Sequence, residues 1–190
     1  MRLSKVQSSI VFSALFGCFA LAGELDKWDT ADLETVRLSP DKFMKLPIGV
    51  RNDLSARGCT IPQLFCCKEE LHNVISGHFK DSTQLDWAIL CSIERHSTLL
   101  VYWGDTSMAV SELDTTGDIH WLQGTGDDKL GFSHVISTVG TNYVRDHANS
   151  YGTVIPAALG HEGIDDGFMG KASMIRYWYQ GKWLSLQGAD

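Results

Sequence analysis

Residues 73–103 read NVISGHFKDSTQLDWAILCSIERHSTLLVYW. Three short runs rich in β-branched and aromatic residues, 73–79, 85–91 and 97–103, are separated by Gly, Asp, Ser and Thr, the residues of turns. Consecutive strands are predicted there. Similar runs follow at 107–113, 119–123, 134–139, 172–179 and 182–186, with turns at Gly104-Asp105, Thr116-Gly117-Asp118 and Gln180-Gly181. The last two runs, separated by so short a polar turn, make the firmest hairpin.

Helices are expected at two main places. Pro47 opens a segment in which Ile48, Val50 or Arg51, and Leu54 recur at helical spacing until Gly58 stops it, so a helix over 47–57 should rest on the core by Ile48, Val50 and Leu54. A second helix is predicted over 142–150, with Thr141 as cap, Tyr143, Val144 and His147 on one side, and Gly152 ending it. Ser39-Pro40-Asp41 offers the start of a short helix through Met44. Residues 23–46 otherwise read as an irregular lead-in, acidic at Glu24, Asp26, Asp29, Asp32 and Glu34. The expected fold is a single α+β domain over 47–190, mainly antiparallel sheet with two or three packed helices.

Ahead of this lies a leader. Arg2 and Lys5 precede an apolar run from Ile10 to Leu21, and Ala20-Leu21-Ala22 closes it with small residues at both recognition positions, the pattern of an export signal over residues 1–22. The apolar run is far short of the roughly 20 residues that span a bilayer. Cleavage after Ala22 is therefore expected, leaving no membrane span and an exported, periplasmic or secreted protein. Leu15-Phe16-Gly17-Cys18 offers a competing lipidation box, with bulky Phe16 where a small residue is preferred.

The full chain carries a net charge of −7, and loss of Arg2 and Lys5 with the leader leaves 14 basic against 23 acidic residues. Such a surface repels phosphate backbones and anionic membranes, which argues against nucleic acid and leaves a protein, peptide or glycan as partner. Four cysteines would survive cleavage: Cys59, Cys66, Cys67 and Cys91. An even count in an oxidising compartment favours disulfides. Bridging adjacent Cys66 and Cys67 would distort the intervening peptide. Cys59 with Cys91 is the preferred bridge, with buried thiols as the alternative, and no Cys-x-x-Cys spacing signals redox or zinc chemistry.

The densest polar constellation is His161-Glu162-Gly163-Ile164-Asp165-Asp166, read as an acidic turn. Three readings stand for it. A solvated turn is the plainest; Glu162, Asp165 and Asp166 around one centre could hold calcium; and His161 with Asp166 could exchange protons. Asp86 beside Trp87 is either a turn cap next to a core indole or a carboxyl with a raised pKa. The aromatic supply gives a further candidate, since alternation sends Tyr177 and Tyr179 to one face of a strand and Trp178 to the other. Core filling competes there with a binding platform for a sugar ring or apolar peptide.

Two resemblances add to this. The segments Gly58-Cys59-Thr60-Ile61-Pro62-Gln63, Asp86-Trp87-Ala88-Ile89-Leu90-Cys91-Ser92 and Gly181-Lys182-Trp183-Leu184 through Asp190 look like those of a loose group of exported bacterial proteins, which implies a single exported domain and no named activity. Ile75-Ser76-Gly77-His78-Phe79 followed by Asp86-Trp87-Ala88-Ile89-Leu90 is similar to one blade of FG-GAP propellers. In that family an acid-rich loop at this place holds calcium; here Lys80-Asp81-Ser82-Thr83-Gln84-Leu85 carries Asp81 as its one carboxylate. The function expected from the sequence is an exported, non-catalytic binding or interaction domain that uses an aromatic sheet face. The runner-up is a small hydrolase of envelope polymers working through His161, Asp165 and Asp166.

Overall fold

The computed structural model describes residues 26–67, 69–107, 109–157 and 159–189. The expected leader and Cys18 lie outside the described residues. The described chain begins with helix α1 (Lys27–Glu34), β1 (Arg37–Leu38), a 3-10 turn (Pro40–Lys42), helix α2 (Ile48–Ala56) and β2 (Ile61–Pro62), with β1 pairing β2. Strands β3 (Val74–Gly77), β4 (Asp86–Ile93), β5 (His96–Tyr102) and β6 (Val110–Gly117) then form one antiparallel sheet in chain order. A 3-10 turn (Asp118–Trp121) leads into the hairpin of β7 (Leu122–Gly126) and β8 (Lys129–Phe132). Strand β9 (His134–Val139), helix α3 (Thr141–Ser150), β10 (Gly163–Phe168), β11 (Ser173–Tyr179) and β12 (Lys182–Gln187) follow, and the four strands make a second antiparallel sheet ordered β12-β11-β10-β9. This is the expected α+β fold. No helix among the described residues is long and apolar enough to cross a membrane.

Alternation along the strands sorts the apolar side chains into layers. Trp87, Ile89 and Cys91 of β4 with Leu100 and Tyr102 of β5 pack against Val50 and Leu54 of α2 and against Phe43 and Leu46. From the opposite face of the same strands, Ala88, Leu99 and Val101 join Leu113, Ile136 and Ile164 in a core between the two sheets. Beyond the second sheet, Ile175, Tyr177 and Leu186 pack on Val144 and Ala148 of α3. The order is thus helix, sheet, sheet, helix.

The sheets meet along edge strands β3 and β9. Asn73 joins them, its side-chain amide donating to the Pro62 and His134 carbonyls while its oxygen accepts from the Ile136 N–H. Farther along, His78 N–H donates to the Glu162 carboxylate and Glu162 N–H donates to the His78 carbonyl. The bridge expected from the sequence is formed: Cys59, after α2, is disulfide-bonded to Cys91 in β4.

Three sequence expectations are corrected. The lead-in is structured and belongs to the domain, since Asp26 caps α1 by accepting from Trp28 and Asp29 N–H, and α1 packs on β8. Its buried members are polar or small, so no apolar stripe announced it. Ile48 is 65% exposed rather than core-facing, because two residues advance a helix by about 200° and place it opposite Val50. The stretch predicted as strand 119–123 starts as a 3-10 turn, and the Gly-rich segment after it is a hairpin whose turn residues Asp127 and Asp128 both have positive φ, 49° and 56°, as a type I′ turn requires.

Candidate functional site

The stretch read as an acidic turn is mostly strand β10, flanked by its antiparallel partners β9 and β11. Extended backbone sends neighbouring side chains to opposite faces, so its acids diverge. Asp166 points between the sheets, 6% exposed. Asp165 points towards α3, where its charge, after burial, pushes the Tyr143 hydroxyl pKa up. Glu162 is engaged by the His78 N–H, and the His161 ring lies against the Glu162 carbonyl. Glu162, Asp165 and Asp166 therefore share no centre for calcium, and His161, Asp165 and Asp166 form no catalytic group. Among the described residues, no three His, Cys, Asp or Glu side chains are grouped to hold a metal.

Asp166 does meet a histidine, but a different one. His134, which opens β9 and is 4% exposed, places Nε2 2.5 Å from Asp166 Oδ1. Arg176 Nε donates to the other carboxylate oxygen at 2.7 Å, and Arg176 also pairs with Asp114 at 2.7 Å. Burial alone would raise the Asp166 pKa, yet the His134 and Arg176 contacts outweigh it and hold this carboxyl below its ordinary value. An ionised carboxylate only accepts, so Nε2 carries the proton in this pair. The Trp121 indole stacks on the His134 ring, centroids 3.5 Å apart and 11° from parallel. Sealed in this way, the pair ties β9, β10 and β11 together and leaves no room for a substrate.

The remaining sequence candidates are structural too. Asp86 is fully buried and accepts from Phe79 N–H, Lys80 N–H, Gln84 Nε2 and Gly104 N–H, so it closes the 80–85 loop while Trp87 fills the core. Asp81, in the propeller-like loop, is engaged by Thr83 and Gln84. The Tyr177 face is not open: Tyr177 is buried under α3 and Tyr179 packs beside it. The aromatic cluster lies on the other face, where Trp178 and Trp183 meet Trp103 with ring centroids 4.9–5.7 Å apart. Those rings spend their faces on one another at the rim of the inter-sheet core.

An opening suited to a ligand occurs elsewhere, and no sequence motif marked it. A cleft of about 380 Å³ lies between the C-terminal half of α1, β1, the loop 63–72 and β8. Ala31, Val36, Leu38, Leu64, Phe65, Leu71, Leu130 and Phe132 supply its apolar lining, and Glu34, Thr35, Gln63, Glu70 and His72 its polar groups. Val36 and Leu71, which line it, are 55% and 53% exposed. Its walls are pinned to one another: Gln63 N–H donates to the Val36 carbonyl, and Phe65 N–H donates to the Phe132 carbonyl. Gln63 also closes the loop, its side-chain oxygen accepting from His72 N–H and its Nε2 donating to the Ile61 and His72 carbonyls. The cleft is preformed. A volume of this size and an apolar lining with a few polar groups are properties of small-molecule sites. Three stretches of chain far apart in sequence, 31–38, 63–72 and 130–132, build it, so nothing in the order of the residues announced it.

Comparison with known protein families matched none, and no curated protein and no solved structure matched this chain.

Proposed function

We propose that this chain is an exported, non-catalytic binding domain whose ligand seat is the cleft between α1, the 63–72 loop and β8. The observation that carries the reading is the pairing of a preformed apolar cleft with exposed Val36 and Leu71 at its lining, while the acid–imidazole pair is sealed in the core. A hydrolase would need a nucleophile and base converging where substrate can reach. The carboxylates of Glu34 and Glu70 at the cleft disfavour anions, so the ligand is a compact apolar molecule or the apolar side chain of a peptide, neutral or cationic. Export rests on the leader pattern of residues 1–22, with support from the Cys59–Cys91 disulfide.

The neutral apolar fluorophore N-phenyl-1-naphthylamine tests the seat. Saturable one-to-one binding is expected, weakened about tenfold by Leu71→Asp, which removes part of a leucine contact worth about 1.4 kcal/mol and replaces it with a charge. Leu71 is exposed, so the substitution leaves folding within about 0.5 kcal/mol. Equal binding by the Leu71→Asp variant, or loss of binding in Trp178→Ala instead, would move the site elsewhere.

A further inference from the structure

Oxidised and reduced cysteines coexist in this chain: Cys59 and Cys91 are bonded, while Cys66 and Cys67 remain thiols. Neighbouring residues in extended chain point apart. Cys67 instead adopts a left-handed backbone, φ 55°, which L-residues, unlike glycine, rarely take and which costs on the order of a kcal/mol per residue. This turn brings the two Sγ atoms to 2.9 Å, on one side of the loop. A third sulfur comes from 103 residues away, because Met169, just after β10, sets its Sδ 3.3 Å from Cys66 Sγ. Met169 is fixed there by its backbone: its N–H donates to the Ser133 carbonyl, and its carbonyl accepts from Gln123 Nε2.

We infer that Cys66, Cys67 and Met169 form a binding site for one soft monovalent ion, copper(I). Two thiolates and a thioether are a ligand set that selects copper(I); a thioether adds little for zinc, which favours thiolate, imidazole and carboxylate. Metal–sulfur bonds of about 2.3 Å place ligand sulfurs roughly 3.8–4.0 Å apart. Loading therefore parts Cys66 Sγ from each of its two sulfur neighbours by about 0.5–1 Å, within reach of side-chain rotation at a loop where Cys67 is exposed. The step is an exchange without redox change: copper(I) enters, the two thiols release two protons, and the thioether adds as a neutral donor. The loop that carries the thiols also walls the cleft, yet this inference stands independently of the cleft's ligand.

The test is a titration of the full chain with copper(I), without oxygen, in competition with the chromogenic chelator bicinchoninate. One equivalent per chain is expected. Met169→Leu, which keeps the volume and removes the sulfur, should weaken the affinity by about tenfold or more, and the joint Cys66→Ser and Cys67→Ser variant should abolish binding, with circular dichroism unchanged in both. Copper(I) held equally well by either variant, zinc(II) displacing it stoichiometrically, or alkylation mass mapping that finds Cys66 already bonded to Cys67 would each overturn the site.

Discussion

Asp166 accepts from a histidine on one oxygen and an arginine on the other, between two sheets. Its folded-state pKa lies below the unfolded value of about 3.9, so the stability it confers is present above that pH and is lost as pH falls towards the folded value. Asp53 behaves alike, since the Tyr102 hydroxyl and Arg57 overcome the opposing effect of burial. The Asp166→Asn variant is expected to lose about 3 kcal/mol at neutral pH, because Arg176 and His134 lose their common acceptor, and to show a shallower fall in stability below about pH 4. Urea unfolding across pH 2–7 measures both; an unchanged acid slope would mean that Asp166 is already protonated in the folded protein. The acids of this segment were legible in the sequence as a polar cluster. Their partner was not, because His134 is 32 residues away and meets Asp166 only once β9 and β10 are set in register, Phe168 opposite His134.

At the scale of an element, β10 turns on its glycines. A Cβ at Gly167 would lie 2.5 Å from Ser173 Cα and 2.6 Å from the Ala172 carbonyl, contacts with backbone that no rotamer relieves. Gly167→Ala should therefore cost about 1–3 kcal/mol by thermal or urea unfolding, whereas Gly124→Ala, with nothing within 4 Å, should stay within about 0.5 kcal/mol. Equal effects would show that β11 does not press on β10 as described. One glycine and three acids in six residues are also what made 161–166 resemble a turn. Close strand approach and a buried ion pair demanded the same residue types that a solvent-exposed turn uses. Elements with a strong apolar period, such as β4, β5, β9 and the β11–β12 hairpin, were legible because burial alone dictates their pattern. Helix α1 was not, since a cap and the buried Asp32–Arg37 pair hold it where an apolar stripe ordinarily would.

Across the whole molecule, the Cys59–Cys91 bond ties the end of α2 to the centre of the first sheet over 32 residues. Loop-closure entropy assigns it about 3–4 kcal/mol, so the joint Cys59→Ala and Cys91→Ala variant should unfold at correspondingly lower urea concentration. A loss below about 1 kcal/mol would show that the denatured chain is already confined there. The α+β class and the succession of hairpins follow from strand periodicity and short turns. The division into two facing sheets, and the cleft that α1 forms with β8, depend on which strand edges remain unpaired, and that is a property of the assembled layers. The binding function rests on this cleft. Titrating isotopically labelled protein with the neutral naphthylamine and following backbone amide resonances tests it most directly: shifts concentrated at Val36, Leu64, Phe65, Leu71 and Phe132 are expected, whereas shifts centred on Trp103, Trp178 and Trp183 would contradict it.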